Sequence, residues 1–323
     1  MYQCNIPLNM QFEVTYQCNN NCIFCYNEKQ IKHRDELDTC QIKHIIRDIK
    51  ESGVVQMNFN GGEPLMRSDF LELAGYAKSI GLDVHLNTNA TLINDALAYE
   101  LSQIFPSICT TILSGKKETH DMLSGRNGAF EAAIRGIKAL QKNNVYVAAN
   151  VMLCNENYGD IIDTLNLLHD LRIETVLITR YVPDKHHRDG LFITDKNYFN
   201  TLREVYNYNC INSYFDRISL PQPLQVCTVP NDIRNIILEW NIPCNIGLCT
   251  ASVNAYGQLT PCNLVKEPII GDLSNNSLQK LWESFDGLNY CKSEHLLKEC
   301  LNCMDIQFCG GGCKGFNMSL CEV

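Results

Sequence analysis

The sequence predicts an α/β protein, a partial (β/α)6 TIM-like barrel followed by a small cysteine-rich domain. Between residue 11 and about residue 210, β-rich apolar runs alternate with helix-period segments, the pattern of a parallel sheet with crossover helices. From residue 244 onward the cysteines become dense. The chain has 323 residues, 45% of them hydrophobic, enough to bury a large core and more than one small domain needs.

The strand candidates are 11–16, 54–59, 84–87, 108–113, 145–153 and 175–180, and helix candidates lie near 37–51, 68–80, 94–104, 128–143 and 157–171. Six such repeats suit a partial barrel, in which chemistry sits at the carboxyl ends of the strands. The expected division is 1–215 for the barrel, 216–243 for a bridging segment and 244–323 for the cysteine-rich domain.

A net charge of -9 argues against a nucleic-acid surface, because phosphate binding needs clustered Lys and Arg. No apolar run approaches the roughly 20 residues of a membrane span, and residues 1–10 lack a charged start followed by an apolar core. The expectation is a cytoplasmic protein with no membrane and no nucleic-acid partner. Eighteen cysteines in such a chain favour metal ligation in a reducing compartment over disulfides, and oxygen sensitivity with it.

Just after the first strand, Cys18, Cys22 and Cys25 form a Cys-x3-Cys-x2-Cys array. Cysteine thiolates are the usual ligands of a 4Fe-4S cluster, and three of them leave one iron open for a small molecule. A zinc knuckle is the competing reading. The second strand ends in Asn60-Gly61-Gly62-Glu63-Pro64, where glycines allow close backbone approach and a carboxylate can accept from an ammonium group. The third ends in Asn87-Thr88-Asn89-Ala90-Thr91-Leu92, and after the fourth comes Ser114-Gly115 with His120-Asp121.

These segments, with the aromatic Phe24 before the last cysteine, resemble the radical S-adenosylmethionine (SAM) superfamily. The resemblance implies that SAM chelates the open iron and is cleaved reductively to a 5′-deoxyadenosyl radical. It also implies a cofactor-binding set of Gly61, Gly62, Glu63, Pro64 and Asn89, with Glu63 holding the SAM amino group. Ser114 stands where the family usually has Asp, and His120 with Asp121 reads as a helix-start pair. Asn150 and Arg180 end the fifth and sixth strands and, in the expected register, point to the barrel mouth. Arg180 then pairs with the SAM carboxylate, a substrate carboxylate or a surface acid, since a guanidinium fork suits each. The run 184–188, with His186 and His187, has no metal spacing and reads as a solvated loop.

In the tail, Cys244, Cys249 and Cys262 precede Cys300-x2-Cys303-x5-Cys309-x3-Cys313 and Cys321. With Gly257 to Cys262 and the glycines 310–312, this resembles the SPASM domain of peptide maturases and anaerobic sulfatase maturases. The resemblance assigns Cys244, Cys249, Cys262 and Cys313 to a first auxiliary 4Fe-4S cluster, and Cys300, Cys303, Cys309 and Cys321 to a second. With the SAM cluster that makes three. A zinc ribbon of Cys300, Cys303, Cys309 and Cys313 is the alternative, and it leaves Cys244, Cys249 and Cys262 without a role. The remaining cysteines, Cys4 among them, read mostly as small buried hydrophobes.

The resemblance implies hydrogen abstraction from a residue of a ribosomally made precursor peptide, closed to a crosslink or re-quenched with epimerisation. A flavodoxin or ferredoxin is the implied reductant. The alternative is formylglycine formation of the sulfatase-maturase type, or dehydrogenation of a small alcohol. Sulfatase maturases carry an Asp after the cysteine matching Cys262; here it is Asn263, and an amide is no general base. Cys227, in the bridging segment, is a candidate catalytic hydrogen-atom donor to a peptide radical, with packing as the plainer reading. About ten residues precede the first strand, too few for a winged-helix peptide-recognition module, so a separate recognition protein or the barrel itself holds the leader.

Overall fold

The computed structural model describes residues 3–27, 35–183, 190–265, 267–293, 300, 302–306 and 310–315. Its elements run β1 (Asn9–Thr15), α1 (Thr39–Glu51), β2 (Gln56–Gly61), α2 (Phe70–Ser79), β3 (Asp83–Thr88), α3 (Asp95–Ile104), β4 (Ser107–Thr111), α4 (Lys117–Ser124), α5 (Ala129–Lys142), β5 (Tyr146–Leu153), α6 (Ile161–Asp170), β6 (Thr175–Arg180), α7 (Asp195–Asn212) and β7 (Arg217–Ser219). The tail adds α8 (Arg234–Trp240), β8 (Thr250–Val253), β9 (Gln258–Thr260), β10 (Gly271–Asp272), α9 (Leu278–Ser284) and α10 (Gly287–Ser293).

All six expected strands form, and they pair in sequence order as parallel neighbours. The structure adds a seventh, β7, parallel to β6, and on the other edge β8 lies parallel to β1, with β9 and β10 continuing antiparallel. One sheet of order β10-β9-β8-β1-β2-β3-β4-β5-β6-β7 results, so the cysteine-rich tail extends the barrel wall.

Period-two alternation sets the two faces of this wall. On β1, Met10, Phe12 and Val14 are fully buried in the main core, while Asn9, Gln11, Glu13 and Thr15 point the other way. Parallel strands sealed on both faces are apolar throughout. Here the second face is polar, which marks it as a lumen. Gln11 accepts from Asn60 Nδ2 at 2.7 Å, and Asn150 accepts from Thr179 Oγ1 at 3.2 Å.

The helices cover the outer face. In α1, Ile42, Ile45, Ile46 and Ile49 fall on one side at i, i+3, i+4, i+7 spacing and are buried. Each contributes about 1.5–3 kcal/mol by leaving water. Asp38 starts the helix through a reciprocal capping box with Gln41, at 2.8 and 2.9 Å.

Candidate functional site

The cluster loop leaves β1 at Thr15 and is pinned by backbone bonds to the end of α4. Asn21 N donates to Ser124 O at 2.9 Å and Ile23 N to Leu123 O at 3.0 Å. Gly125 has φ 63°, and a Cβ there would lie 2.1 Å from Asn21 O, so only glycine closes this contact. Ile23 and Phe24 pack on Leu113, Leu123 and Met152. The Cys18 sulfur accepts from Asn20 N at 3.4 Å and lies 3.9 Å from Asn89 Nδ2.

The turn after β2 docks on the same loop. Gly62 N donates to Thr15 O at 2.7 Å and Glu63 N to Gln17 O at 2.8 Å. A Cβ on Gly61 would meet Thr15 O at 2.3 Å, and one on Gly62 would meet Gln17 O at 2.1 Å. The two glycines therefore serve a backbone-to-backbone contact with the cluster loop. Pro64 is buried at the start of a short 3-10 turn that Glu63 caps through Leu65 N at 3.2 Å.

Glu63 is 1% exposed and accepts from Thr88 Oγ1 and Asn89 N, both at 2.8 Å. Burial pushes its carboxyl up to about 7, against the lowering effect of those donors. A buried carboxylate of this kind is stabilised by an arriving cation. Asn89 also donates to Asn19 Oδ1 at 2.9 Å, and Thr91 Oγ1 accepts from Asn19 at 2.8 Å and from Arg126 at 3.1 Å. Asn19, Thr91 and Arg126 thus join the cluster loop to the ends of β3 and α4. The sequence offered no spacing that singles them out.

Asn150 lies on the lumen face as expected. Arg180 does not: it shares the outward face of β6 with Val176 and Ile178, 7% exposed. Its guanidinium bonds Asp195 at 2.8 Å and Ile193 O, and lies 4.9 Å over the rings of Phe192 and Tyr198. The expected contact with a SAM or substrate carboxylate is replaced by an anchor for the start of α7. Alternation decides this, since a strand that turns Leu177 and Thr179 inward turns Arg180 outward.

His120 and Asp121 do not start a helix, as the sequence reading expects, but lie inside α4; from there Asp121 accepts from Gly128 N at 2.7 Å and Phe130 N at 2.8 Å and so ties α4 to the beginning of α5. His120 is buried against Phe130, and burial lowers it to about 4, so the ring stays neutral. Ser114 donates to Asp160 Oδ2 at 2.9 Å, which brings a carboxylate back beside the position where the family's Asp is missing. Cys227 is exposed, in a short turn next to Gln225, which donates to Gly311 O at 3.3 Å. Residues 184–188, Cys309 and Cys321 lie outside the described residues.

In the tail, Cys244 and Cys262 pack beside the small cluster of Ile246, Leu248, Val265, Tyr290 and Cys291. Burial pushes the Cys244 thiol well up and Cys262 to about 11. Backbone N–H groups oppose this: Leu264 N donates to the Cys262 sulfur at 3.4 Å. Lys314, 2% exposed, sits beside them with Nζ donating to Gly310 O at 2.6 Å. Buried thiols next to a buried ammonium fit an anionic iron-sulfur cluster, whose irons hold the sulfurs as thiolates. Among the described residues no three acidic, His or Cys side chains converge on one ion.

Cys249 departs from expectation. Its sulfur is bonded to Cys4, with Cα atoms 5.1 Å apart, so Cys4 is no isolated buried hydrophobe and Cys249 is not paired with the other three. Asn263, beside Cys262, donates to Tyr26 OH at 2.9 Å, and Tyr26 follows Cys25. This bond ties the loop of the first cluster to that of the auxiliary one. Glu13, 2% exposed on the lumen face, acts electrostatically on both Tyr26 and Cys262.

Residues 12–168 match the radical SAM superfamily, and residues 244–304 match SPASM, an iron-sulfur cluster-binding domain. The chain carries a radical SAM domain and a SPASM domain. Its radical SAM domain binds SAM and a 4Fe-4S cluster, and its SPASM domain binds iron-sulfur clusters. Fe-coproporphyrin III synthase of Methanosarcina barkeri is 35% identical over 166 residues, 51% of this chain and 42% of that protein, so the chain aligns with under half of that relative. AdoMet-dependent heme synthase of the same organism is 26% identical over 95% of this chain and 91% of its own. Mycofactocin maturase MftC of Mycolicibacterium smegmatis is 24% identical over 95% and 78%. Among solved structures, Streptococcus suis SuiB bound to SAM has a TM-score of 0.79 at 16% identity, covering 96% of this chain and 74% of that one. The structure of anSMEcpe with bound AdoMet and Cp18Cys peptide has a TM-score of 0.73 at 18% identity, covering 96% and 89%. At these identities the likeness is one of fold. No helix among the described residues is long and apolar enough to cross a membrane.

Proposed function

We propose that this radical SAM enzyme modifies a ribosomally made precursor peptide by abstracting hydrogen from one of its residues. The observation that carries the reading is the Asn263–Tyr26 bond of 2.9 Å, which ties the loop that bears Cys25 to the loop that bears Cys262. When bound, SAM and its cluster supply the 5′-deoxyadenosyl radical, and the auxiliary clusters accept the electron that an oxidative crosslink releases. The residues of the chain do the rest. Cys18, Cys22 and Cys25 hold the first cluster, Glu63 takes the SAM ammonium, and Asn89 orients Glu63 and the cluster loop together. Asn58 Oδ1, Asn60 Oδ1 and Ser252 Oγ are buried without a hydrogen-bond partner. Such atoms cost about 1–3 kcal/mol each unless a ligand meets them, which suits a polar guest such as a peptide backbone.

Asn263 cannot serve as the base of a sulfatase-type oxidation, so formylglycine formation ranks lower. A flavodoxin or ferredoxin is the proposed reductant, and a separate recognition protein for the leader is compatible with this site. Cys227 remains the proposed hydrogen-atom donor should the outcome be epimerisation, and its exposure suits that role better than packing. A second reading is favoured by the match to AdoMet-dependent heme synthase over 95% of the chain: an iron-tetrapyrrole substrate. The test is anaerobic turnover with dithionite, adding either short precursor peptides encoded beside the gene or iron-coproporphyrin III. Peptide-stimulated 5′-deoxyadenosine with a modified peptide mass supports the proposal. Stimulation by the tetrapyrrole alone replaces it with the second reading.

A further inference from the structure

We propose that the wall of the lumen formed by β8, β1 and β2 receives a basic side chain, lysine or arginine, of the substrate. The inference rests on the peptide reading above and adds the class of residue that the peptide presents. Ser252, Gln11 and Asn58 are register partners across the three strands, about 4.8 Å from strand to strand. One step toward the SAM turn, Glu13 pairs with Asn60, the residue before Gly61. A side chain held on this wall therefore keeps its peptide beside the turn that bears Glu63. On the facing side the lumen is hollow: Asn87, Cys109, Thr111, Ala148 and Asn150 point inward from β3, β4 and β5 and keep accessible surface, while their outward neighbours are buried.

The wall is rich in oxygens that lack donors. Asn60 uses its amide nitrogen on Gln11 Oε1, at 2.7 Å, and its Oδ1 is left buried without a partner. Asn58 Oδ1 and Ser252 Oγ are in the same state. Asn60 is 7% exposed and Ser252 is 0% exposed, so both are built into the wall and neither turns out to solvent. The row beneath is bonded from strand to strand and forms the floor: Asn9 donates to Gln56, and Gln56 Nε2 contacts His85 Nε2 at 2.6 Å. Strands β1, β2 and β8 carry no Lys, Arg or His and one acid, Glu13, which is 2% exposed and accepts from Tyr16 OH at 3.2 Å. A carboxylate guest meets only acceptors and a like charge there. A neutral amide brings an acceptor of its own with its N–H groups, whereas an ammonium or guanidinium group brings donors alone. Buried oxygens around one carboxylate therefore select a cation, whose charge Glu13 balances. The net charge of -9 draws the same class of ligand to the mouth of the barrel.

The test uses the full chain, anaerobically reconstituted and saturated with SAM. Its probes are the radiolabelled, end-capped tripeptides Gly-Lys-Gly, Gly-norleucine-Gly and Gly-Glu-Gly, and binding is read by equilibrium dialysis. Norleucine keeps the carbon chain of lysine and lacks the ammonium. The expected result is binding of Gly-Lys-Gly about tenfold tighter than that of Gly-norleucine-Gly, the worth of one charged hydrogen bond, with Gly-Glu-Gly weakest of the three. Glu13→Gln and Asn58→Lys should each abolish the preference for lysine. Asn58→Asp should widen it, a gain that misfolding does not produce. No preference for the lysine peptide, or no widening in Asn58→Asp, overturns the proposal. A preference unchanged in both Glu13→Gln and Asn58→Lys places the binding on surface acids and overturns it as well. The peptide reading is judged separately, by turnover. A precursor peptide modified by a chain that shows no lysine preference removes this inference alone, whereas turnover of iron-coproporphyrin III and of no peptide removes both.

Discussion

Glu63 is a carboxylate whose surroundings make ionisation hard until a cation arrives. Three donors hold it, yet burial still lifts it from an ordinary 4.5 to about 7. Between those values the folded chain without SAM keeps a proton that the unfolded chain has lost, so Glu63 favours the fold at low pH and this contribution fades as pH rises through about 7. SAM binding demands the ionised form. Calorimetry in buffers of different ionisation enthalpy should therefore find proton release on SAM binding near pH 6 that declines above about pH 8, with affinity rising over the same range. Glu63→Gln should weaken SAM binding by roughly 10- to 100-fold, the worth of a charged hydrogen bond of about 1.5–3 kcal/mol, and leave iron content unchanged. Equal affinity in the variant would leave Glu63 a cap for the turn at Pro64 and nothing more.

At the scale of elements, the cluster loop is held by its neighbours more than by itself. The turn after β2 and the end of α4 each approach it through a glycine that has no room for a methyl group. Gly62→Ala must push Gln17 O away from a 2.1 Å contact, at a cost of about 1–3 kcal/mol. The expected outcome is a lower Tm together with iron lost from the SAM cluster first, read by Mössbauer spectroscopy; full iron at an unchanged Tm would contradict it. Arg180 does comparable work at the other end of the sheet, tying β6 to α7. Arg180→Ala should lower the unfolding free energy by about 1–3 kcal/mol through lost packing and ion pairing, with SAM affinity unchanged. A selective loss of SAM affinity would restore it to the cofactor pocket.

For the whole molecule, β8 pairs with β1, so the barrel wall and the cysteine-rich tail form one sheet. The cluster loop follows the carboxyl end of β1, and Cys262 follows β9 of the same sheet. Three clusters are proposed, hence about twelve irons per reconstituted chain. Replacing Cys18, Cys22 and Cys25 together by Ala should remove about four of them and all SAM cleavage while the auxiliary clusters persist. Retained cleavage in that variant would refute the placement of the radical site.

The sequence by itself determined the parallel sheet with its crossover helices and the cysteine-rich tail, and it singled out Cys18, Cys22, Cys25 and Glu63 as the proposed site, because periodicity and ligand spacing are local properties that survive without knowledge of the fold. Strand 175–180 was legible to the residue, whereas β7 and α7 were not: β7 is three residues long, and α7 buries only part of its length. Only the tertiary structure decided where the strand-end side chains point and which distant residues meet. Arg180 lies one residue from Thr179, and that single step of pleat separates the lumen from the helix layer. Gly61 and Gly62 were legible as a tight turn, but their partners, Thr15 and Gln17, come from another strand end. Asn19, Thr91 and Arg126 meet across three separate segments, and Cys4 meets Cys249 across 245 residues. Such encounters are set by sheet order and register, which bring together residues with no spacing relation in the chain.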